Sequence, residues 1–206
     1  MGRDSQSEKK FMFIGNHPSL DFINTLIVQN GQPVDLLETF SDLVTWLAHA
    51  RLLNREEAKQ AERKWGGMPD GMRTLDQARG FRDALREMVE RIAAGKPVPS
   101  AAIEAINGKL RYRVGYPQLT GRSGKFEREF QAESQEANRL LGVLAESASD
   151  LLCTCDFSVI KQCQNPSCVL FFYDTTKNHA RHWCSMNVCG NRMKVAAHYR
   201  RHRSDG

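Results

Sequence analysis

The chain has no cysteine before position 153, so most of it can hold neither a disulfide nor a thiolate metal site. It has no apolar run approaching the ~20 residues of a membrane helix. The opening, Met1 to Lys10, is polar and lacks an apolar signal core, and reads as a lead-in to the fold rather than a targeting segment. There is no glycine-rich phosphate loop, no H-E-x-x-H pair and no G-x-S-x-G, which removes the usual signatures of nucleotide, zinc-protease and serine-hydrolase chemistry. Internal repeats are absent. The six cysteines are too few for a disulfide scaffold, and a reducing cytoplasm is the expected compartment.

Acidic residues are scarce at one end. From Lys161 onward eight Lys/Arg face only Asp174 and Asp205, while the net charge of the whole chain is +5. The body is therefore close to neutral and the last segment carries the positive charge. A basic stretch of this kind is the electrostatic footprint of nucleic-acid binding; a solvated tail that aids solubility is the plainer alternative.

What is present is a set of cysteines in that same segment. Cys163, Cys168, Cys184 and Cys189 follow C-x4-C-x15-C-x4-C. Zinc takes four soft or borderline ligands at tetrahedral corners, and two short-spaced pairs supply them. A segment near 40 residues usually needs a metal or cross-links to fold. One structural zinc is expected, with no open position for water and hence no zinc-hydroxide chemistry. His179, His182, His198 and His202 are competing ligands, but the two cysteine pairs already make a complete set. Cys153 and Cys155 read as free thiols.

On a regular helix residues i and i+5 point about 140° apart. Cys184 must therefore precede the last helix, or lie in a distorted first turn, if it shares an ion with Cys189. Gly190 beside the ligand permits close backbone approach. Val169 to Tyr173 is a short β-rich run, Asp174 to Asn178 a turn, and residues 180–184 the return strand, ahead of a helix from Met186 to Arg203. Knuckle, hairpin and helix, with a ligand pair at each end, is the treble-clef arrangement.

The first 150 or so residues read as mainly helical. Residues 11–14 suggest a short strand. Asn16 and Pro18 suggest a helix start, with Leu20, Ile23, Leu26 and Ile27 at helical spacing and Asn30-Gly31 as its end. Thr39 or Ser41 and then Asn54 begin two further helices. Residues 66–71 read as a loop, 73–94 as a long helix and 100–110 as another. Strands at 111–119 and 126–130 follow, then a helix over 134–152. The fold class is thus α+β: a mainly helical N-terminal domain with a few short strands at 11–152, plus a small treble-clef zinc finger at 158–203, the two packing against each other.

At Cys184-Ser-Met-Asn-Val-Cys189-Gly190-Asn191-Arg192 the tail resembles the bacterial CGNR zinc-finger family. The match includes Cys163-Gln-Asn-Pro-Ser-Cys168, Phe171 and Phe172 with Asp174, Arg181-His-Trp183, and Lys194. The preceding part resembles the ABATE domain, through Leu20-Asp21-Phe22-Ile23-Asn24-Thr25 and less specifically Trp46 and Phe81-Arg82. The resemblance implies a treble-clef finger and a role in stress-linked transcription regulation.

The candidate nucleic-acid contacts are Lys177, Arg181, Arg192, Lys194, His198, Arg200, Arg201 and Arg203. Lys194, His198 and Arg201 share one helical stripe, and Arg192, Tyr199 and Arg203 another. Arg192 could instead serve a thiolate or the hairpin, and Tyr199 could pack. Asp21 and Asn24, one turn apart, are candidate ligand-binding residues, with a buried hydrogen-bond pair as the commoner alternative. The leading expectation is a non-enzymatic, zinc-dependent DNA-binding transcription regulator, cytoplasmic and nucleoid-associated when on DNA. Its N-terminal domain would sense a small-molecule effector or bind a protein partner. The alternative is a protein-interaction or RNA-binding finger. An enzyme with a structural zinc is the weakest reading, and no membrane role is expected.

Overall fold

The computed structural model describes residues 10–122 and 124–204; the side chains of Arg122, His198, Arg200 and residues 201–204 lie outside the described set. About 51% of the chain is helical, with three two-stranded antiparallel sheets among the described residues.

The start departs from the expected single helix. Residues 11–14 form no strand. Asn16 adopts a positive φ of 59° and His17 becomes the cap, its ring nitrogen accepting from Ser19 N at 3.2 Å. Helix α1 covers only Pro18–Ile23, with Pro18 in its first turn. Strands β1 (Leu26–Gln29) and β2 (Gln32–Asp35) follow as a hairpin. Its turn is Asn30-Gly31, with φ of 53° and 78°. Two successive positive φ values are the signature of a hairpin turn whose twist matches the strands, and Asn-Gly is the pair that tolerates them best. The helical spacing of Leu26 and Ile27 is thereby overridden.

Helix α2 (Phe40–His49) starts at a Thr39–Asp42 capping box and helix α3 (Arg55–Trp65) at an Asn54–Glu57 box, each satisfying orphan amides at both partners. The loop expected at 66–71 is shorter, because α4 begins at Pro69 and runs to Ala93; proline tolerates a first helical turn, where its missing N–H has no partner to lose. Helix α5 (Ser100–Leu110) is capped from Pro99 without a side-chain bond. Strands β3 (Gly115–Arg122) and β4 (Lys125–Ala132) pair in register, Leu119 opposite Arg128 and Pro117 opposite Phe130. Helix α6 covers Arg139–Thr154. Then come a short 3-10 turn, β5 (Ile160–Gln162), β6 (Phe171–Tyr173), a π turn at Met186–Gly190 and α7 (Asn191–Ser204).

These elements form two compact units. One contains the chain up to Glu38, Arg82–Val98 and everything from Thr154 on; the other contains Thr39–Phe81 and Pro99–Cys153. The second unit is built on buried Leu43, Trp46, Leu47, Ala61, Leu140, Leu141, Leu144 and Ala148, recurring at helical spacing as the apolar face of a packed helix must.

In the first unit the second half of α4 supplies two arginines. Arg82, 3% exposed, sits in the same stripe as Leu85, Met88 and Val89. It meets Asp35 through two parallel bonds of 2.7 and 2.6 Å and Thr25 Oγ1 at 2.9 Å. Arg86 donates to the carbonyls of Val169 at 3.0 Å, Leu26 at 3.0 Å and Ile23. A guanidinium satisfied in a fork holds several backbone segments at once. Removing one partner of a buried pair leaves the other uncompensated. Arg82→Leu is therefore expected to cost about 3 kcal/mol in urea unfolding, the low end of the range because Asp35 keeps some solvent; a loss below about 1 kcal/mol would mean the pair contributes little.

Candidate metal centre and finger surface

The knuckle begins where β5 ends. Cys163 N donates to Leu170 O at 2.9 Å and Cys168 N to Asn165 O at 2.8 Å, so residues 163–170 turn back and deliver β6 onto β5. The expected pairing of 169–173 with 180–184 does not form. Asp174 explains why. Its buried carboxylate accepts from Lys161 Nζ at 2.8 Å, Thr176 N and Oγ1 at 3.0 and 2.6 Å, and Arg181 N at 2.9 Å. The backbone after β6 wraps round this one side chain, and His179 takes a φ of 46°, which no strand permits. Burial alone would raise the Asp174 pKa, but these four donors outweigh it and hold the carboxyl far below its usual range.

The second pair sits as the helical period requires. Cys184 lies before the π turn and Cys189 within it, and Gly190 N closes that turn on Ser185 O at 3.0 Å. The wider i+5 turn adds a residue per bond and so rotates Cys189 back toward Cys184. A Cβ on Gly190 would lie 2.4 Å from Met186 Sδ and 3.2 Å from Trp183 Cδ1, so a larger residue would have to push the exposed Met186 side chain aside.

All four sulfurs fall within 4.8 Å of one another, Cys168 to Cys184 at 3.7 Å and Cys184 to Cys189 at 3.5 Å. Zinc–sulfur bonds of about 2.3 Å at tetrahedral angles give an edge near 3.8 Å, so the cage fits the ion. Several N–H groups point at sulfur, among them Cys184 N at Cys163 Sγ (3.3 Å) and the buried Asn165 Nδ2 at Cys189 Sγ (3.2 Å). Such donors favour thiolate over thiol. Without a cation the set cannot ionise together. A hydrogen bond from Cys184 lowers Cys168 to about 5, the same contact and burial push Cys184 up, and burial pushes Cys163 up. A dication resolves this conflict, and the protein holds one structural zinc at this centre.

The histidines lie elsewhere. His179 Nδ1 contacts Asp174 O at 2.9 Å, and His182 is exposed, with its carbonyl accepting from Gln164 N. Cys153 and Cys155 lie outside the cage as free thiols.

The basic residues divide. Arg181 works inward: its guanidinium donates to Trp183 O at 3.0 Å, Ile14 O at 2.9 Å and Cys184 O, and lies 4.1 Å from the Phe172 ring centre. A phosphate-anchoring role gains no support from that geometry. Lys177, Arg192 and Lys194 are exposed and have no hydrogen bond or ion pair with the described residues. The thiolate contact considered for Arg192 is thus not made. His198, Arg200, Arg201 and Arg203 continue α7, their side chains outside the described set. Tyr199 is 67% exposed.

Asp21 and Asn24 each hydrogen-bond the backbone around β6. Asn24 Nδ2 donates to Phe171 O at 2.8 Å and its Oδ1 accepts from Phe171 N at 2.9 Å, completing both main-chain groups of β6. Asp21 Oδ1 accepts from Gly15 N at 2.7 Å, while Gly15 O accepts from Tyr173 N at 2.8 Å. Asp174, Asn165, Arg82 and Arg86 were not singled out as site residues. Arg82 carried a signal nonetheless: an arginine inside an apolar helical stripe demands a buried partner.

A family model described as "Putative stress-induced transcription regulator", ABATE, matches residues 16–154, and a CGNR zinc-finger model matches residues 160–202. The chain belongs to the ABATE family. No curated protein matches it. Within the ABATE segment α1 supplies the side chains that clip β6, and the CGNR segment supplies all four metal ligands. Among the described residues no helix is long and apolar enough to cross a membrane.

Burial raises Asp21 from 3.8 to about 6, against opposing bonds from Gly15 and Ile14 and the charge of Arg181. The folded state therefore prefers the protonated form. That contribution to stability is complete below about pH 4 and is lost as the pH rises through about 6. Asp21→Asn keeps the acceptor and removes the ionisation. It should be the more stable form at pH 8, by up to about 3 kcal/mol at ~1.4 kcal/mol per pKa unit, with the gap closing as the pH falls to 4. Denaturant unfolding of both forms in added zinc, compared at each pH, checks this; a pH-independent gap would assign Asp21 another role.

Proposed function

We propose that the chain is a zinc-dependent, DNA-binding transcription regulator, in which the treble-clef finger at 158–203 contacts DNA and the ABATE domain at 11–152 senses a ligand or mediates association. The observation that carries this is the segregation of charge. From Lys161 to the end the chain holds eight Lys/Arg against two acids, and even with a tetrathiolate zinc counted as −2 this segment stays basic. Its unengaged cations, Lys177, Arg192 and Lys194, are exposed, and α7 adds Arg200, Arg201 and Arg203. A basic helix can follow phosphates or enter a major groove. The four-cysteine cage leaves zinc no position for water, which supports a non-enzymatic role. The site of action would be the cytoplasm and, on DNA, the nucleoid.

A second reading has its own observation. Met186, Val188 and Val195 on the π turn and α7 are 55%, 46% and 54% exposed, apolar surface that would suit a protein partner or stacked RNA bases.

Fluorescence anisotropy of zinc-loaded protein on duplex DNA separates the two. Affinity should fall steeply with salt, by about 0.9 in log–log slope for each phosphate neutralised. Replacing Lys194 and Arg201 by Gln should reduce that slope by roughly 1 to 2 while zinc content is unchanged. Absent or salt-insensitive binding would contradict DNA recognition and favour the protein-partner reading.

A further inference from the structure

A cleft with a volume of about 620 Å³ lies wholly within the second unit, between α3, the start of α6 and the base of the β3–β4 hairpin. That volume is within the usual range for a small-molecule site. Most of its lining is polar, with a smaller apolar floor from Leu53 and Val143, each 7% exposed, and half-buried Phe130.

Arg139 faces an unmet need there. Its side chain is half-buried against the ring of Trp65, 5.4 Å from the centroid. Its Nε is buried without a hydrogen-bond partner, and among the described residues no carboxylate approaches within ion-pair distance. Burial lowers its pKa, with the Glu57 charge a weaker opposing influence. Arg51 and Arg63, which also line the cleft, are exposed to solvent, and the remaining two cations are engaged. Lys64 Nζ is held by Gln135 O and Oε1, both at 2.8 Å, and Arg113 Nε pairs with Glu146 at 2.7 Å while stacking on Phe130. The nearest candidate acid, Glu57, is committed to the Asn54 amide at 2.8 Å in the α3 cap. A half-buried guanidinium with no counter-charge in the fold is open to an anion from solvent, and its planar fork matches a carboxylate.

We propose that this cleft binds a small organic acid, Arg139 receiving the carboxylate and the Leu53–Phe130–Val143 floor covering the hydrocarbon part. The hydrocarbon part is required because inorganic anions would leave that floor wet. The small size is required because Glu56, Glu57 and Glu129 also line the cleft and would repel a polyanion. The inference rests on the sensor reading of the ABATE domain, but it places the sensor here rather than at Asp21 and Asn24.

The test uses zinc-loaded full-length chain without DNA, so its outcome is independent of whether the finger binds DNA. Benzoate is titrated by calorimetry and its effect on the melting temperature recorded, with inorganic phosphate in parallel. One saturable benzoate site is expected, with a rise in melting temperature and no saturable phosphate binding. Arg139→Gln should weaken benzoate at least tenfold while leaving the ligand-free melting temperature unchanged or higher, which a purely structural arginine would not do. If that variant fails to fold, Arg139→Lys carries the test. It keeps the charge, loses the fork and should bind several-fold more weakly. The proposal is overturned by no benzoate binding at about 10 mM, by phosphate binding alone, or by undiminished benzoate binding in the substituted protein that folds.

Discussion

Four sulfurs held within 4.8 Å of one another are the constraint from which the rest of the finger follows. Four thiolates at that spacing repel, and four thiols leave the N–H donors of Asn165 and Cys184 aimed at the wrong charge state. A dication reconciles them, and the free energy of forming such a site is also free energy of folding. The β5–β6 pairing, the Asp174 wrap and the π turn each position a ligand or the strand beside one. None is long enough to persist alone: β5 and β6 have three residues each, and an isolated pair of short strands is marginal in water.

The same centre reaches back to the beginning of the chain. Asn24 satisfies both main-chain groups of Phe171, Gly15 receives Tyr173 N, Arg181 donates to Ile14 O and Arg86 to Val169 O. Residues separated by 83 to 167 positions thus complete one another's backbone bonds, and they fall in one compact unit. The ABATE and CGNR segments are distinct as sequence families, yet the start of the first supplies side chains to the fold of the second. Within that unit α1 and the second half of α4 therefore hold the strand beside the metal ligands.

Legibility in the sequence followed the range of the interaction. The cysteine spacing and the 140° argument located the metal centre and placed Cys184 ahead of the helix, because both depend on local geometry alone. The helix starts near Thr39 or Ser41 and at Asn54 are readable for the same reason, and the structure settles the first on Thr39. The hairpin at 26–35 is obscured in the sequence because Leu20, Ile23, Leu26 and Ile27 also fit a helix, although Asn30-Gly31 is the stronger signal and marks a hairpin turn. The return strand at 180–184 failed because one buried carboxylate, Asp174, captures the backbone that would have paired. Asp21 and Asn24 were recognised as a pair, but their partners lie about 150 residues away, beyond what spacing can reveal. Arg139 carried no sequence signal at all, since its significance is the absence of a counter-charge.

The central claim is that the zinc centre and the N-terminal α1 segment fold as one cooperative body. Hydrogen–deuterium exchange of the full chain, with zinc bound and after chelation, tests it most directly. Metal removal should expose the amides of Phe171 and Tyr173 together with those of Asp21 and Asn24, while the amides of Leu141 to Leu151 in α6 keep their protection. Unchanged protection at Asp21 and Asn24 once the finger has opened would contradict it.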